Sequence, residues 1–151
     1  IAKKGFEQLS PCLIQYIIEG SFDLKVDAGY LLSELMKHHA SMFINGMSNE
    51  LSDLFQSQNA DLKSAILIIL DIDDDGYNDL LILMLNGLHV LCKECDNKYS
   101  DKVKIIIQNE FAESGIFDRI DALKNNSDSE DICTLCQSIF NCFDFETEEE
   151  D

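Results

Sequence analysis

About every fifty residues the chain repeats one pattern: an apolar run of helical length, a short acidic or polar turn, then a second amphipathic run. Residues 12–18 are followed by 26–35, residues 62–70 by 80–92, and residues 116–123 by 132–143. Recurrence at this interval is the signature of stacked helices. A single helix pair cannot bury its apolar face, so successive pairs stack and present a long surface rather than a closed pocket. The expected fold class is therefore all-α, an α-solenoid, and the expected work is binding.

The apolar runs alone are ambiguous between buried strand and buried helix, and punctuation decides. There is one proline, Pro11, placed as if in the first turn of a helix. Turn residues do not recur at the interval of about 8–12 residues that hairpins need. Leu24, Ala28, Leu31, Leu32 and Leu35 share one helical face, which reads as the core face, with Asp23, Lys25 and Asp27 toward the other. Asp61, Asn78 or Asp79, and the run 127–131 stand where N-caps belong. Residues 80–92 are apolar nearly all round, as suits a helix held between others. Shorter amphipathic segments at 50–55 and 101–107 give each unit a third helix, and three helices per unit point to the armadillo type. The expected division is a partial repeat with an extended connection over 1–48, a penultimate repeat over 49–99, a last repeat over 100–144 and an acidic tail over 145–151.

With 46% apolar residues the 151-residue chain can bury one core. Its longest apolar runs fall far short of the roughly twenty residues of a membrane span. The start at Ile1, followed by Ala2, Lys3, Lys4 and Gly5, has neither signal-region nor cleavage-site character and reads as a cut edge. A net charge of −18 repels phosphate backbones and anionic bilayers, so neither nucleic acid nor membrane is the expected partner; a basic protein is. No Lys or Arg follows Lys124, which concentrates the acidity at the carboxy-terminal end. The six cysteines read as reduced thiols of a cytosolic or nuclear compartment.

The stretch 110–126, reading EFAESGIFDRIDALKNN, then Ser129, Glu130, Asp131 and Ile132 and a helix ending at Phe143 before acidic residues, resembles the last armadillo repeat of importin-α. That repeat reads E-A-x-G-h-D-K-I-E-x-L-Q, a polar turn, E-I-Y and a helix ending Y-F. Residues 62–91 look like the second and third helices of the penultimate repeat, with 49–60 as its first, and 11–35 look like the repeat before. The resemblance implies a nuclear transport adaptor that shuttles between cytoplasm and nucleus. It implies docking of the export receptor with Ran-GTP, and of a nucleoporin, on the acidic last repeat, with Glu110, Glu113, Asp118 and Asp121 as the matching carboxylates. Importin-β and basic nuclear-localisation peptides would engage parts upstream. The family's cargo groove carries W-x-x-x-N on the third helix. Here Tyr30 stands at the Trp position and Glu34 at the Asn position, and in the next unit Asn86 and Val90 do. A residual groove of Tyr30, Glu34 and Asn86 keeps an aromatic face and a carboxylate for a cation but lacks the amide clamp. The interval of about fifty exceeds the roughly forty-two residues of a regular repeat, and the excess falls at 37–47 and 93–100.

Two other constellations compete. Residues 71–79 resemble an EF-hand loop, with Asp71, Asp73, Asp75 and Asp79 at positions 1, 3, 5 and 9 and Gly76 at position 6. Ile82 stands where the closing bidentate Glu belongs, and Asn78 where an aliphatic residue is usual. A calcium-responsive helical module is the rival from another class, and a scaffold unrelated to transport the rival within binding proteins. Cys92 with Cys95 and Cys133 with Cys136 form two C-x-x-C pairs, but their separation exceeds the zinc-ribbon interval of about 15–20 residues, and the second pair keeps helical step with Ile132 and Ile139. His38 and His39 point about 100° apart on a helix and cannot share an ion. His89 reads as a core residue of its apolar helix. No phosphate loop, serine elbow or zinc-protease helix occurs, so neither catalysis nor a metal or other cofactor is expected.

Overall fold

The computed structural model describes the backbone of residues 3–48, 53–72 and 74–143, and the side chains of 9–47, 61–72, 74 and 76–143. Within them lie eight α-helices and no strand: α1 Lys3–Glu19, α2 Phe22–His38, α3 Ala40–Ser48, α4 Asp53–Leu70, α5 Asn78–Lys98, α6 Asp101–Ser114, α7 Ile116–Asn126 and α8 Glu130–Asn141. A 3-10 turn, Asp75–Tyr77, leads into α5. The all-α expectation holds.

The helix starts follow local chemistry. Ser21, Ser100 and Ser129 each cap a helix by accepting from the backbone N–H three residues on, at 3.4, 3.4 and 3.3 Å. Lys25 Nζ donates to the Ile17 and Ile18 carbonyls, at 2.7 and 3.2 Å, and so satisfies the end of α1. Gly115, at φ 91°, ends α6 and starts α7 in one left-handed residue, a conformation that costs any other side chain.

Four expectations are corrected. Pro11 lies inside α1 rather than at its first turn, where it withholds an N–H from the carbonyl of residue 7. Residues 37–47 are not an extended connection but carry most of α3, whose Ala40, Phe43, Ile44 and Met47 are buried at i, i+3, i+4 and i+7. The segments 53–60 and 62–70 are one continuous helix, so Asp61 is interior and caps nothing, and the expected separate helix at 49–60 is not there; its residues 49–52 lie outside the described residues. Leu24 and Leu31 are exposed, while Ala28, Leu32 and Leu35 on the same helix are buried.

Packing follows an order. Besides meeting its neighbours in sequence, α1 packs on α4, α2 on α5, α3 on α6, α4 on α7 and α5 on α8, each helix on the one three further along. The α2–α5 contact is the most extensive. There Gly87 sets the spacing: a Cβ on it would stand 3.0 Å from the Ser33 carbonyl oxygen and 3.3 Å from Met36 Cβ. Ser33 is itself buried and donates to the Gly29 carbonyl at 2.8 Å, which removes the cost of hiding its hydroxyl. Helix α5 buries Leu80, Leu81, Met84, Leu85, Leu88 and Leu91 and touches α2, α3, α4, α6 and α8, as its all-round apolar sequence requires. Tyr99, just past α5, donates its hydroxyl to Asn45 Oδ1 at 3.0 Å and ties α3 to this axis. One continuous core runs from Leu13 to Phe143.

Candidate functional site

At the carboxy-terminal end, Gly115 turns the chain so that Ile116, Phe117, Ile120 and Leu123 face inward and Asp118 and Asp121 remain exposed on α7. The Phe117 ring sits among Phe111 of α6, Phe140 of α8 and Phe143, with centroids 5.8, 5.8 and 5.3 Å away. Ring pairs at these distances fix side-chain positions beyond what burial alone does. An open recess of about 610 Å³ lies over this cluster, lined by Phe117, Phe140 and Phe143 and by Asp118, Asp121, Lys124, Gln137 and Asn141. Asn125 Nδ2 reaches Asp121 Oδ2 at 3.5 Å, and Gln137 Nε2 donates to Asn141 Oδ1 at 2.9 Å. Aromatic edges and faces beside two exposed carboxylates suit an incoming lysine or arginine, the stem on the rings and the charge on the acids.

The four carboxylates expected to work together separate. Asp118 and Asp121 share the recess. Glu110, on α6, is committed to an ion pair with Lys63 of α4, in which both side chains are half-buried. Glu113 is exposed on α6 and does not line the recess. The acidic tail 145–151 lies outside the described residues. The contribution of Phe140 and Phe143 was not foreseen, since nothing in the spacing of α8 shows that it returns to Phe117.

The residual groove residues lie on α2 and α5. Tyr30 is half-buried against the core, and Glu34 is exposed and faces His38 Nε2 at 3.3 Å. Asn86 is half-buried beside Gly87.

The described residues of the loop at 71–79 are held by side chains of α7 and of the loop itself. Arg119 Nε lies 3.0 Å from the Leu70 carbonyl and 3.0 Å from Asp71 Oδ1, and so closes the end of α4. Asp74 Oδ1 accepts from the Gly76 N–H at 2.9 Å, and α5 begins already at Asn78. Asp73 and the Asp75 side chain lie outside the described residues. A cleft of about 630 Å³ lies between this loop and the α7–α8 turn, lined among others by Asp71, Asp74, Arg119 and Asp128. Among the described residues no three His, Cys, Asp or Glu side chains come together as a metal site.

All six cysteines are free thiols. Burial pushes Cys95 up to about 11 and Cys136 up to about 12, and raises Cys92 and Cys142 as well. Thiols held neutral are poor nucleophiles. His89 is half-buried, and burial followed by the Lys93 charge lowers its pKa below the ordinary imidazole value. No described helix is long and apolar enough to cross a membrane.

No family model, curated protein or solved structure matches the chain.

Proposed function

We propose that the chain is a protein-binding adaptor built of stacked three-helix repeats of armadillo type, acting as the carboxy-terminal region of an importin-α-like transport factor. The packing of each helix on the one three further along supports the stacking. In that reading α1 and α2 are the last two helices of one repeat and α6 to α8 form the last; α3, which the sequence reading kept within 1–48, replaces 49–60 as the first helix of the penultimate repeat, followed by α4 and α5, because 53–70 is one helix. The observation that carries the function is the acidic, aromatic-floored recess of α7 and α8. It pairs Asp118 and Asp121 with Phe117 and Phe140 in a chain of net charge −18. A basic protein surface is the complementary partner, steered by the field and seated by one or two lysine or arginine side chains. The resemblance of residues 110–143 to the last importin-α repeat supplies the proposed partners, the export receptor with Ran-GTP and a nucleoporin, and the proposed setting, shuttling between nucleus and cytoplasm.

The test is a pull-down of the export receptor, with and without Ran-GTP, on the wild-type chain and on a variant carrying Asp118→Lys and Asp121→Lys. Ran-GTP-dependent capture by the wild type and its loss in the variant is the expected result. Capture that survives the charge reversal removes the recess as the site. No capture by the wild type removes the transport reading and leaves an armadillo scaffold.

A further inference from the structure

We propose that the cleft between the α4–α5 loop and the α7–α8 turn is a docking site for an arginine side chain carried by a basic protein segment. The site does not rest on the transport reading, because it uses neither Asp118 nor Asp121 and no particular receptor.

The cleft is a concavity before it is a charged patch. Leu81 of α5, Leu123 of α7 and Ile132 of α8 line it and are buried, and Ile72 of the loop and Ala122 of α7 are half-buried beside them. Four elements therefore share one apolar floor under a polar mouth, which is how ligand sites are built, and the volume of about 630 Å³ is of the size such sites have. On α7 the lining residues are Arg119, Ala122, Leu123 and Asn126, whereas Phe117, Asp118, Asp121 and Lys124 line the aromatic recess. At about 100° per residue the two sets stand on opposite flanks of the helix, so α7 separates two distinct sites.

Charge selects the occupant. Backbone dipoles do not, since α4 and α7 end at the cleft while α5 and α8 begin there, and ends of opposite sign offset one another. Arg119 is already engaged, its Nε 3.0 Å from both the Leu70 carbonyl and Asp71 Oδ1, which matches one carboxylate. Asp74 and Asp128 are exposed at the mouth and form no ion pair among the described residues. The start of α8 is occupied as well: Ser129 Oγ accepts from the Ile132 N–H, Ser127 Oγ accepts from the Ser129 N–H at 3.1 Å, and Glu130 and Asp131 stand in the first turn. An anion would meet two unmatched carboxylates in a chain of net charge −18, while a cation is drawn in. A bare divalent ion finds no cage, because no three His, Cys, Asp or Glu side chains converge among the described residues.

The cation must then bring an apolar stem for the floor, and arginine fits better than lysine. Its planar group offers five donors to acceptors spread around the mouth, Asp74, Asn78, Asn126 and Asp128, while the stem lies on the leucines and Ile132. The room beyond one side chain takes the backbone of the residues on either side.

The experiment is an NMR titration of the isotope-labelled 151-residue chain with a short glycine–serine peptide carrying two arginines, read by backbone amide shifts. Matched peptides carry lysine or glutamine at the same two positions. One protein variant is Asp74→Asn with Asp128→Asn, in which asparagine keeps an acceptor for the Gly76 N–H. The other makes the same change of charge at exposed residues of α4 and α6 that do not line the cleft, Asp61→Asn with Asp101→Asn. The expected result is saturable shifts at Asn78, Asn126 and Asp128, with the arginine peptide bound about threefold or more tighter than the lysine peptide and no binding of the glutamine peptide. The cleft variant should lower the arginine affinity about fivefold, the loss of two exposed ion pairs, and the other variant should leave it unchanged. Shifts confined to Asp118 and Asp121, or equal affinity of the wild type and the cleft variant, would overturn the proposal. So would equal binding of the arginine and lysine peptides. Displacement of the peptide by calcium at constant ionic strength would make the cleft a metal site instead. The receptor pull-down is read independently, so the two proposals fail separately.

Discussion

The ion pair between Lys63 and Glu110 joins α4 to α6, and removing it tests whether Glu110 is a structural or a docking residue. Lys63 is 19% exposed and Glu110 30%, so the pair sits between the surface and buried regimes. A contact pair near a protein surface attracts by about 4 kcal/mol at an effective dielectric of about 20. Ordering the lysine stem and stripping part of both hydration shells takes back roughly half or more of that. The coupling left is about 1–2 kcal/mol, above the 0–1 kcal/mol of exposed pairs. A double-mutant cycle of Lys63→Met and Glu110→Gln by urea unfolding measures it directly. In a chain of this size 1 kcal/mol moves Tm by roughly 2–4 °C, so Glu110→Gln should melt a few degrees below the wild type while Lys63→Met with Glu110→Gln recovers part of the loss. Partner capture should be little changed, because Glu110 does not reach the recess. A coupling below about 0.3 kcal/mol, which is within the usual error of additivity, would refute the pairing and return Glu110 to the docking surface.

Gly87→Val should destabilise the fold by about 1–3 kcal/mol, since the new side chain meets a backbone carbonyl of α2. Gly29→Ala, whose nearest neighbour is the movable end of Ile69, should change stability by less than about 1 kcal/mol; equal urea midpoints for the two variants would mean that α2 and α5 do not approach at Gly87. Stability should also fall above pH 9. Cys95 and Cys136 keep their protons in the folded chain to about 11 and about 12 but lose them from about 9 when unfolded. The unfolded state then binds fewer protons, and each thiol contributes a loss of up to about 1.4 kcal/mol per pH unit in that window. Urea unfolding at pH 8 and pH 10 measures the slope, which Cys136→Ala should make shallower.

Much of the secondary structure was legible because its causes are local. Ser129 was readable as a cap within 127–131, and the all-round apolar run of 80–92 announced the central helix. Helix α3 was not read although Ala40, Phe43, Ile44 and Met47 keep helical step, because the repeat interval assigned 37–47 to the excess between units. The break placed before Leu62 is not observed: aspartate favours N-caps, but α4 runs through Asp61, since propensity at one position is a weak term beside the rest of the helix. Of the site, the acidity of Asp118 and Asp121 was visible in the chain. Their aromatic floor was not, since Phe117 and Phe140 meet only through the α7–α8 contact.

By itself the sequence determined that this protein is helical, that apolar helix pairs recur, and that its carboxy-terminal end is acidic. These depend on residues within a turn or two of one another, where spacing and side-chain chemistry suffice. Only the tertiary structure decided that Glu110 belongs to Lys63, that Asp118 and Asp121 share a recess, and that Leu24 and Leu31 face outward from α2. Each depends on which side of a helix its neighbour takes. That choice is set by close approaches between distant segments, such as Gly87 against Ser33, which helical periodicity leaves open.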